Sequence, residues 1–151
     1  MALVMDEIHP WVPIGTLLVR AGLIDSEQLE IALGERERTG RRLGELLVEW
    51  GWVSSKEIAR ALADQFTLDF LELRPDTVER EAVALLRTAD ARRLRALPVR
   101  VLADGLVLVA IDDPTNLAAS EEARTLVGRP IRLAVVDAAE LDAALDGAER
   151  G

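Results

Sequence analysis

The sequence contains an internal repeat, and this feature constrains the fold more than any other. Residues 14–33 align with residues 43–62 at an offset of 29 residues, and 8 of the 20 aligned positions are identical, including both glycines of each copy. A duplicated unit of this size buries its apolar face by packing against its copy. The repeat therefore predicts two equivalent supersecondary units packed together in the N-terminal half of the chain.

Each repeat is expected to form a short helix, a tight break and a second helix. Gly22 and Gly51 stand where a left-handed residue ends the first helix of a pair. Two apolar residues then lead into capping-box patterns, in which a side chain three residues into the helix bonds back to the capping residue. These patterns are Asp25 with Gln28 and Ser54 with Glu57. We therefore expect two helix pairs packed as a small bundle.

The chain after Gln65 changes to a mixed pattern. β-rich runs at 97–102 and 106–111 flank Asp104-Gly105, a dipeptide typical of hairpins. A third strand is predicted at 131–136. Four helices are predicted around these strands: one capped by Asp76 with Glu79, one at 88–95, one from about 116 to 127 that ends at Gly128, and one capped by Asp137 with Glu140.

These elements predict an α+β fold class. An N-terminal small helical bundle of two repeated helix pairs is followed by a small α/β sandwich subdomain. We place the helical subdomain at residues 1–67 and the α/β subdomain at residues 68–151. With 50% hydrophobic and 30% charged residues, the chain has the composition of a folded protein.

The composition excludes most catalytic chemistry. The chain has no cysteine and a single histidine, His9, so thiol nucleophiles and cysteine- or histidine-rich metal sites are not expected. Lys56 is the single lysine and no G-x-x-x-x-G-K-[ST] string occurs, which excludes a Walker-type phosphate loop. The net charge of −9 argues against general DNA or RNA binding but allows a small phosphate ligand held by a few arginines. We expect no enzyme activity, no metal and no cofactor.

No segment predicts targeting or membrane insertion. The apolar run at residues 1–5 is too short, and its flank too acidic, for a signal peptide. No stretch approaches the roughly 18 consecutive apolar residues that a membrane helix needs. We therefore expect a soluble cytoplasmic protein without direct membrane insertion.

An arginine cluster precedes the second repeat, with Arg36, Arg38, Arg41 and Arg42 inside seven residues. An arginine at a helix start can fork onto a phosphate or stack on a base, beside the unpaired N–H groups of the helix terminus. The amide of Gln65 falls on the apolar face of the last repeat helix, where it can read a base edge. The residues alone leave a second interpretation open, in which the arginines form a solvated connector and Gln65 is a polar helix end.

The second repeat also carries a longer pattern. Residues 42–65 read Arg-Leu-Gly-x-x-Leu-Val-x-x-Gly-Trp-Val-x-x-x-x-Ile-x-x-x-Leu-x-x-Gln. This string resembles the MshEN motif of the N-terminal domains of type II secretion and type IV pilus assembly ATPases. The family has two such strings separated by five residues, which here correspond to 13–36 and 42–65. Leu97-Pro-Val and the run at 109–116 are similar to the family's downstream part.

The resemblance implies a ligand site. Family members with intact motifs bind cyclic di-GMP, each string holding one half of the two-fold ligand. Pro13 stands where the first string has arginine and Arg36 where it has glutamine, which implies weaker binding. The implied ligand-binding residues are Arg42, Leu43, Gly44, Leu47, Val48, Ile58, Leu62 and Gln65 of the second string, and Ile14, Gly15, Leu18, Val19, Leu29, Leu33 and Arg36 of the first.

Two further features have structural interpretations. Trp52 occupies an apolar position of the motif, which favours core packing, whereas Trp50 occupies a variable position that suits an exposed partner surface. The Asp112-Asp113 pair is interpreted as a strand end and turn before Pro114 rather than a metal or acid–base dyad.

Two functional hypotheses follow. The first is a non-catalytic cyclic di-GMP receptor, a regulatory module of secretion or type IV pilus machinery without its own ATPase. The second is a protein-interaction adaptor that docks on a secretion or pilus ATPase or an inner-membrane assembly protein without binding nucleotide. Hydrolysis of a phosphate ester finds no credible nucleophile–base pair or metal cluster.

Overall fold

The computed structural model describes residues 13–150; His9 and the N-terminal apolar run lie outside the described residues. Within this range the fold is α+β, as predicted, with eight α-helices and one four-stranded sheet. The helices are α1 (Ile14–Arg20), α2 (Ser26–Thr39), α3 (Leu43–Glu49), α4 (Ser55–Gln65), α5 (Arg80–Val83), α6 (Thr88–Leu94), α7 (Leu117–Val127) and α8 (Ala138–Arg150). The strands are β1 (Asp69–Phe70), β2 (Ala96–Val101), β3 (Val107–Ile111) and β4 (Ile131–Val135), and a 3₁₀ turn spans Pro75–Thr77.

The repeat forms the two predicted helix pairs, α1 with α2 and α3 with α4. Gly22 and Gly51 both have a φ of 77°, which is left-handed backbone that favours glycine and ends the short helices. Both predicted capping boxes are confirmed. Local sequence therefore determines where α1 and α3 end and where α2 and α4 begin.

Removal of one cap should have a measurable cost. The Ser54 Oγ accepts a hydrogen bond from the Glu57 N–H at 3.0 Å, so Ser54→Ala leaves that helix donor without its partner. We expect the free energy of unfolding to fall by about 1 kcal/mol in urea denaturation. Ser26→Ala is the matched control, because the Ser26 side chain is exposed and makes no hydrogen bond among the described residues. Equal stability of the two variants would contradict the capping account.

The sheet has the strand order β1-β4-β3-β2. Strands β2 and β3 form the predicted antiparallel hairpin across Asp104 and Gly105, with a register shift between Pro98 and Arg100. Strand β4 pairs in parallel with β3 on one side and with β1 on the other. The carboxyl ends of β3 and β4 therefore meet at the same edge of the sheet.

Three predictions in the α/β half were incomplete or wrong. Strand β1 is only two residues long and is not among the three predicted strands. Asp76 lies inside the 3₁₀ turn, and the Glu79 carboxylate accepts the Val101 N–H at 2.9 Å instead of capping a helix with Asp76. Asp137 does bond the Ala139 N–H at the start of α8, but Glu140 accepts the Leu73 N–H at 2.8 Å. In both cases a tertiary donor takes the carboxylate expected at a cap.

The core has three clusters. Leu18 and Leu47 are fully buried at the centre of the helical cluster, and Val109 and Leu141 are fully buried in the α/β cluster. The third cluster joins the two halves, because Ala59, Leu62 and Ala63 of α4 pack with Val135 of β4. Helix α4 is thus in contact with the helical bundle on one side and with the sheet on the other.

Trp50 and Trp52 pack together against the helical cluster. Their ring centroids are 5.0 Å apart with an interplanar angle of 61°, an edge-to-face arrangement. Both side chains are half-buried and lie against the helical core. Core packing is therefore confirmed for Trp52, and Trp50 shares this environment instead of forming the exposed surface that its variable position suggested.

Candidate ligand-binding cleft

A cleft of about 800 Å³ lies between the second helix pair and the α/β half. One wall is formed by the start of α3 and by α4, and the other by loops that follow β3 and β4. A cleft of this volume falls within the roughly 300–1,000 Å³ typical of small-molecule sites. Seven of the predicted ligand-binding residues line it: Ile14, Arg42, Leu43, Gly44, Val48, Ile58 and Leu62.

The helical wall offers an open apolar surface. Val48 is a large hydrophobic residue that is nonetheless 38% exposed, and Ile58 beside it is half-buried. A Cβ on Gly44 would meet only the Ile58 Cδ1, at 3.5 Å, so the backbone of the first turn of α3 is accessible from the cleft. This surface can take a planar apolar group such as the face of a base.

Arg42 immediately precedes α3 and points across the cleft. Its side chain is 72% exposed, and its Nη2 donates a hydrogen bond to the Asp113 Oδ2 at 3.0 Å. Asp113 is itself oriented by the loop, because its Oδ1 accepts the Thr115 N–H at 3.0 Å. Asp113 therefore forms the predicted turn and also positions the guanidinium of the motif arginine.

Two other arginines of the cleft are also paired. Arg41 donates two hydrogen bonds to Glu49, at 2.9 and 3.1 Å, and these bonds, followed by its positive charge, lower the pKa of Glu49. Arg95 bonds Asp112 through its Nε and Nη2, at 3.2 and 2.6 Å, and also contacts Asp142. A bound phosphate would therefore have to compete with carboxylates for these guanidinium groups.

The opposite wall is anchored to α4 by a buried carboxylate. The Ser55 Oγ at the start of α4 donates to the Asp137 Oδ1 at 2.5 Å, and Asp137 is only 8% exposed. Arg95 reaches the same wall from a left-handed backbone conformation, with a φ of 53°. The two halves of the molecule thus meet through these polar contacts as well as through the third core cluster.

The other predicted residues lie away from the cleft surface. Leu18, Leu47 and Gly15 are buried inside the helical bundle, beneath the surface that was expected to hold the ligand. Arg36 is exposed on α2, and Gln65 is half-buried at the end of α4. The remaining three, Val19, Leu29 and Leu33, are half-buried against the helical core.

Sequence reasoning missed the contribution of the α/β half. Arg95 and Asp142 line the cleft, as do Asp112 and Asp113, which were interpreted only as a turn, and Ser55 of α4 lines it from the helical side. The available signal was topological, because loops at the carboxyl ends of adjacent parallel strands converge and commonly form ligand sites. The sequence does not show this signal, because the parallel pairing of β3 with β4 is a long-range contact.

Residues 13–150 contain neither a metal-binding cluster nor a membrane-spanning helix. No group of three or more acidic, histidine or cysteine side chains is arranged to hold a metal ion. No helix in this part of the chain is both long enough and apolar enough to cross a membrane.

Comparison with known proteins identifies relatives of this arrangement. The model of the MshEN domain family matches residues 66–151, more than half of the chain. The chain is 33% identical over 116 residues to the type IV pilus assembly ATPase PilB of Thermus thermophilus. The aligned region covers 76% of this chain and 13% of PilB. It is 31% identical over 126 residues to bacteriophage adsorption protein B of Escherichia coli, which covers 82% of this chain and 16% of that protein. The chain thus spans about one eighth to one sixth of these two relatives.

Solved structures share the fold. MshE solved with cyclic di-GMP superposes with a TM-score of 0.77 at 33% identity, over 89% of this chain and 97% of that chain. The N-terminal domain of XpsE superposes with a TM-score of 0.66 at 21% identity, over 91% of this chain and 94% of that chain. The XpsE similarity shows the fold alone.

Proposed function

We propose that this chain, which belongs to the MshEN domain family, is a non-catalytic cyclic di-GMP receptor module. The observation that carries the proposal is the cleft itself. An arginine poised at a helix start faces an exposed apolar wall, in a fold that at 33% identity matches MshE with its bound cyclic di-GMP. A guanine nucleotide offers phosphates to the arginine and an aromatic face to the wall.

The second string is the half of the repeat that contacts the ligand directly in this proposal. Arg42 binds a phosphate or stacks on a guanine, Gly44 allows close approach of the ligand to the backbone, and Val48 with Ile58 supports the base. Arg42 exchanges its bond with Asp113 for bonds with the ligand. Leu47 lies beneath this surface and holds it in place by packing.

The first string contributes less, for a physical reason. Pro13 has no guanidinium to offer, and Arg36 is exposed on α2 and is not among the residues that line the cleft. Loss of one charge-assisted, stacking arginine corresponds to roughly ten- to a hundredfold in affinity. We therefore propose that the ligand binds more weakly here than in a member with two intact strings.

The regulatory role follows from the position of the cleft between the two halves. A ligand that contacts both the α3–α4 wall and the loops after β3 and β4 favours the arrangement in which these walls are close together. Only this differential affinity can shift the conformational equilibrium. We propose that the shift alters docking in the cytoplasm to a secretion or pilus ATPase, or to an inner-membrane assembly protein.

Calorimetric titration of the purified chain with cyclic di-GMP tests the proposal. We expect saturable binding near physiological salt, with cyclic di-AMP and GTP each binding at least tenfold more weakly. GTP offers one base where the two-fold ligand offers two, and adenine lacks the N1–H and N2 donors that guanine can direct to the carboxylates of the cleft. Absence of heat at high micromolar cyclic di-GMP, or equal affinity for the controls, would contradict it.

The second candidate function is a partner-docking adaptor that has lost nucleotide binding. Pro13 in the arginine position of the first string favours it. It predicts no calorimetric signal in the same titration, so one experiment separates the two functions.

A further inference from the structure

A second groove, of about 590 Å³, lies between α8 and the segment that runs from Leu73 through α5. We call it the α8 groove. Its floor is formed by small residues of α8 and its walls by apolar side chains such as Val78 and Val83. A Cβ placed on Gly147 would meet no heavy atom within 4 Å, so the space above this part of α8 is open.

The rim of the α8 groove carries unused positive charge. Arg80 and Arg87 are exposed, and their side chains make no ion pair or hydrogen bond with any residue from 13 to 150. Arg74 has only a loose pair with Asp76, at 3.9 Å. The one acidic residue of the lining, Glu140, is already engaged by the Leu73 N–H at 2.8 Å and by the Lys56 Nζ at 3.5 Å.

This combination is unusual for the molecule. The chain has a net charge of −9, yet an apolar groove on its surface is bordered by arginines that have no carboxylate partner in the described part of the chain. An amphipathic helix docks by laying apolar side chains at i, i+3/i+4 and i+7 into such a groove, while its flanking charges pair with the rim. We propose that the α8 groove is the docking site for an acidic amphipathic helix of a partner protein.

Charge complementarity disfavours a symmetric contact in which the α8 helices of two copies of this chain occupy each other's grooves. The exposed acidic side chains of α8 already have arginine partners, so a second α8 offers no free carboxylate to Arg80 and Arg87. The pairs are Asp142 with Arg95, and Asp146 and Glu149 with Arg92. The proposal does not depend on cyclic di-GMP binding, since no residue lines both the cleft and the α8 groove.

Fluorescence anisotropy with the full chain tests the proposal. The probe is a labelled, amidated peptide of about 18 residues, long enough to form a helix, with leucine at i, i+3, i+4 and i+7 and glutamate at the flanking positions. A matched peptide carries lysine for every glutamate. We expect saturable binding of the acidic peptide and about tenfold weaker binding of the basic one.

Three variants locate the contact. Gly147→Leu fills the open space above α8 and is expected to abolish peptide binding, whereas Gly34→Leu is the matched control, because the Cβ position of Gly34 is equally open on α2. Charge reversal by Arg80→Glu together with Arg87→Glu should make the chain prefer the basic peptide. Calorimetry with cyclic di-GMP should give the same affinity for all three.

The proposal is overturned if the acidic peptide shows no saturable binding up to millimolar concentration, or if Gly147→Leu leaves its affinity unchanged. A change in sedimentation mass on Gly147→Leu would assign the groove to a second copy instead. A gain in peptide affinity on deletion of residues 1–12 would assign it to the chain's own N-terminal segment. Either result would rule out a partner helix as the occupant of the α8 groove.

Discussion

Replacing Arg42 with alanine is expected to bring cyclic di-GMP binding below the detection limit of calorimetry. The substitution removes the one arginine that stands at the arginine position of either string, since the first string has Pro13 there. Loss of its charge-assisted hydrogen bonds and base stacking corresponds to roughly ten- to a hundredfold in affinity, in addition to the loss already attributed to Pro13. The measurement is a titration of wild type and variant at the same salt concentration.

The same substitution should leave the fold intact. The Arg42 side chain is 72% exposed and its pair with Asp113 is a surface ion pair, which contributes about 0–1 kcal/mol. Thermal unfolding of Arg42→Ala should therefore resemble that of wild type. A stable variant that no longer binds separates a lost ligand contact from a lost structure.

Two further variants sharpen the result. Arg20→Ala removes an exposed arginine of α1 that does not line the cleft, and its binding should equal that of wild type. Arg42→Lys retains the charge but loses the planar fork, so we expect an affinity between those of Arg42→Ala and wild type. If Arg42→Ala bound within about twofold of wild type, the second string would not be the ligand site.

Local patterns determined much of the fold. Gly22, Gly51 and the two capping boxes specify a helix terminus through hydrogen bonds between residues a few positions apart, so the sequence predicts them directly. The same holds for the hairpin at Asp104-Gly105. Strand β1 was not predicted because a two-residue strand exists only through its pairing with β4, which is a long-range contact.

Long-range contacts also explain what the sequence missed in the cleft and elsewhere in the α/β half. The carboxylates of Asp113 and Glu79 were interpreted from their neighbours in sequence, but Asp113 bonds Arg42 and Glu79 bonds the Val101 N–H. Both strings match the same motif, so the motif alone cannot show which of the two copies faces the cleft. Leu47 and Leu18 hold equivalent positions in the two strings, and the structure buries both of them in the same core.

Gly15 and Gly44 occupy the same position in the two strings, but we expect the same substitution to lower stability at Gly15 and to block ligand binding at Gly44. A Cβ on Gly15 would lie 2.5 Å from the Leu29 Cδ1 and 3.1 Å from the Leu43 Cδ2. Gly15→Leu therefore overpacks the helical core and should lower the free energy of unfolding by about 3 kcal/mol. Gly44→Leu meets only ordinary contact with Ile58 and should change stability by less than about 1 kcal/mol.

Ligand binding should show the reverse dependence. Gly44 lines the cleft, so a leucine there fills space that the ligand needs, and Gly44→Leu should lose cyclic di-GMP binding while remaining folded. Urea unfolding and calorimetry on both variants, with Gly34→Leu as the helix-surface control, measure the two effects separately. Retained binding by Gly44→Leu would place the ligand elsewhere, and full stability of Gly15→Leu would mean that Leu29 and Leu43 can move aside. The paired result would show that the two copies of one unit have divided their roles, one closing on its own core and the other leaving its backbone open to a ligand.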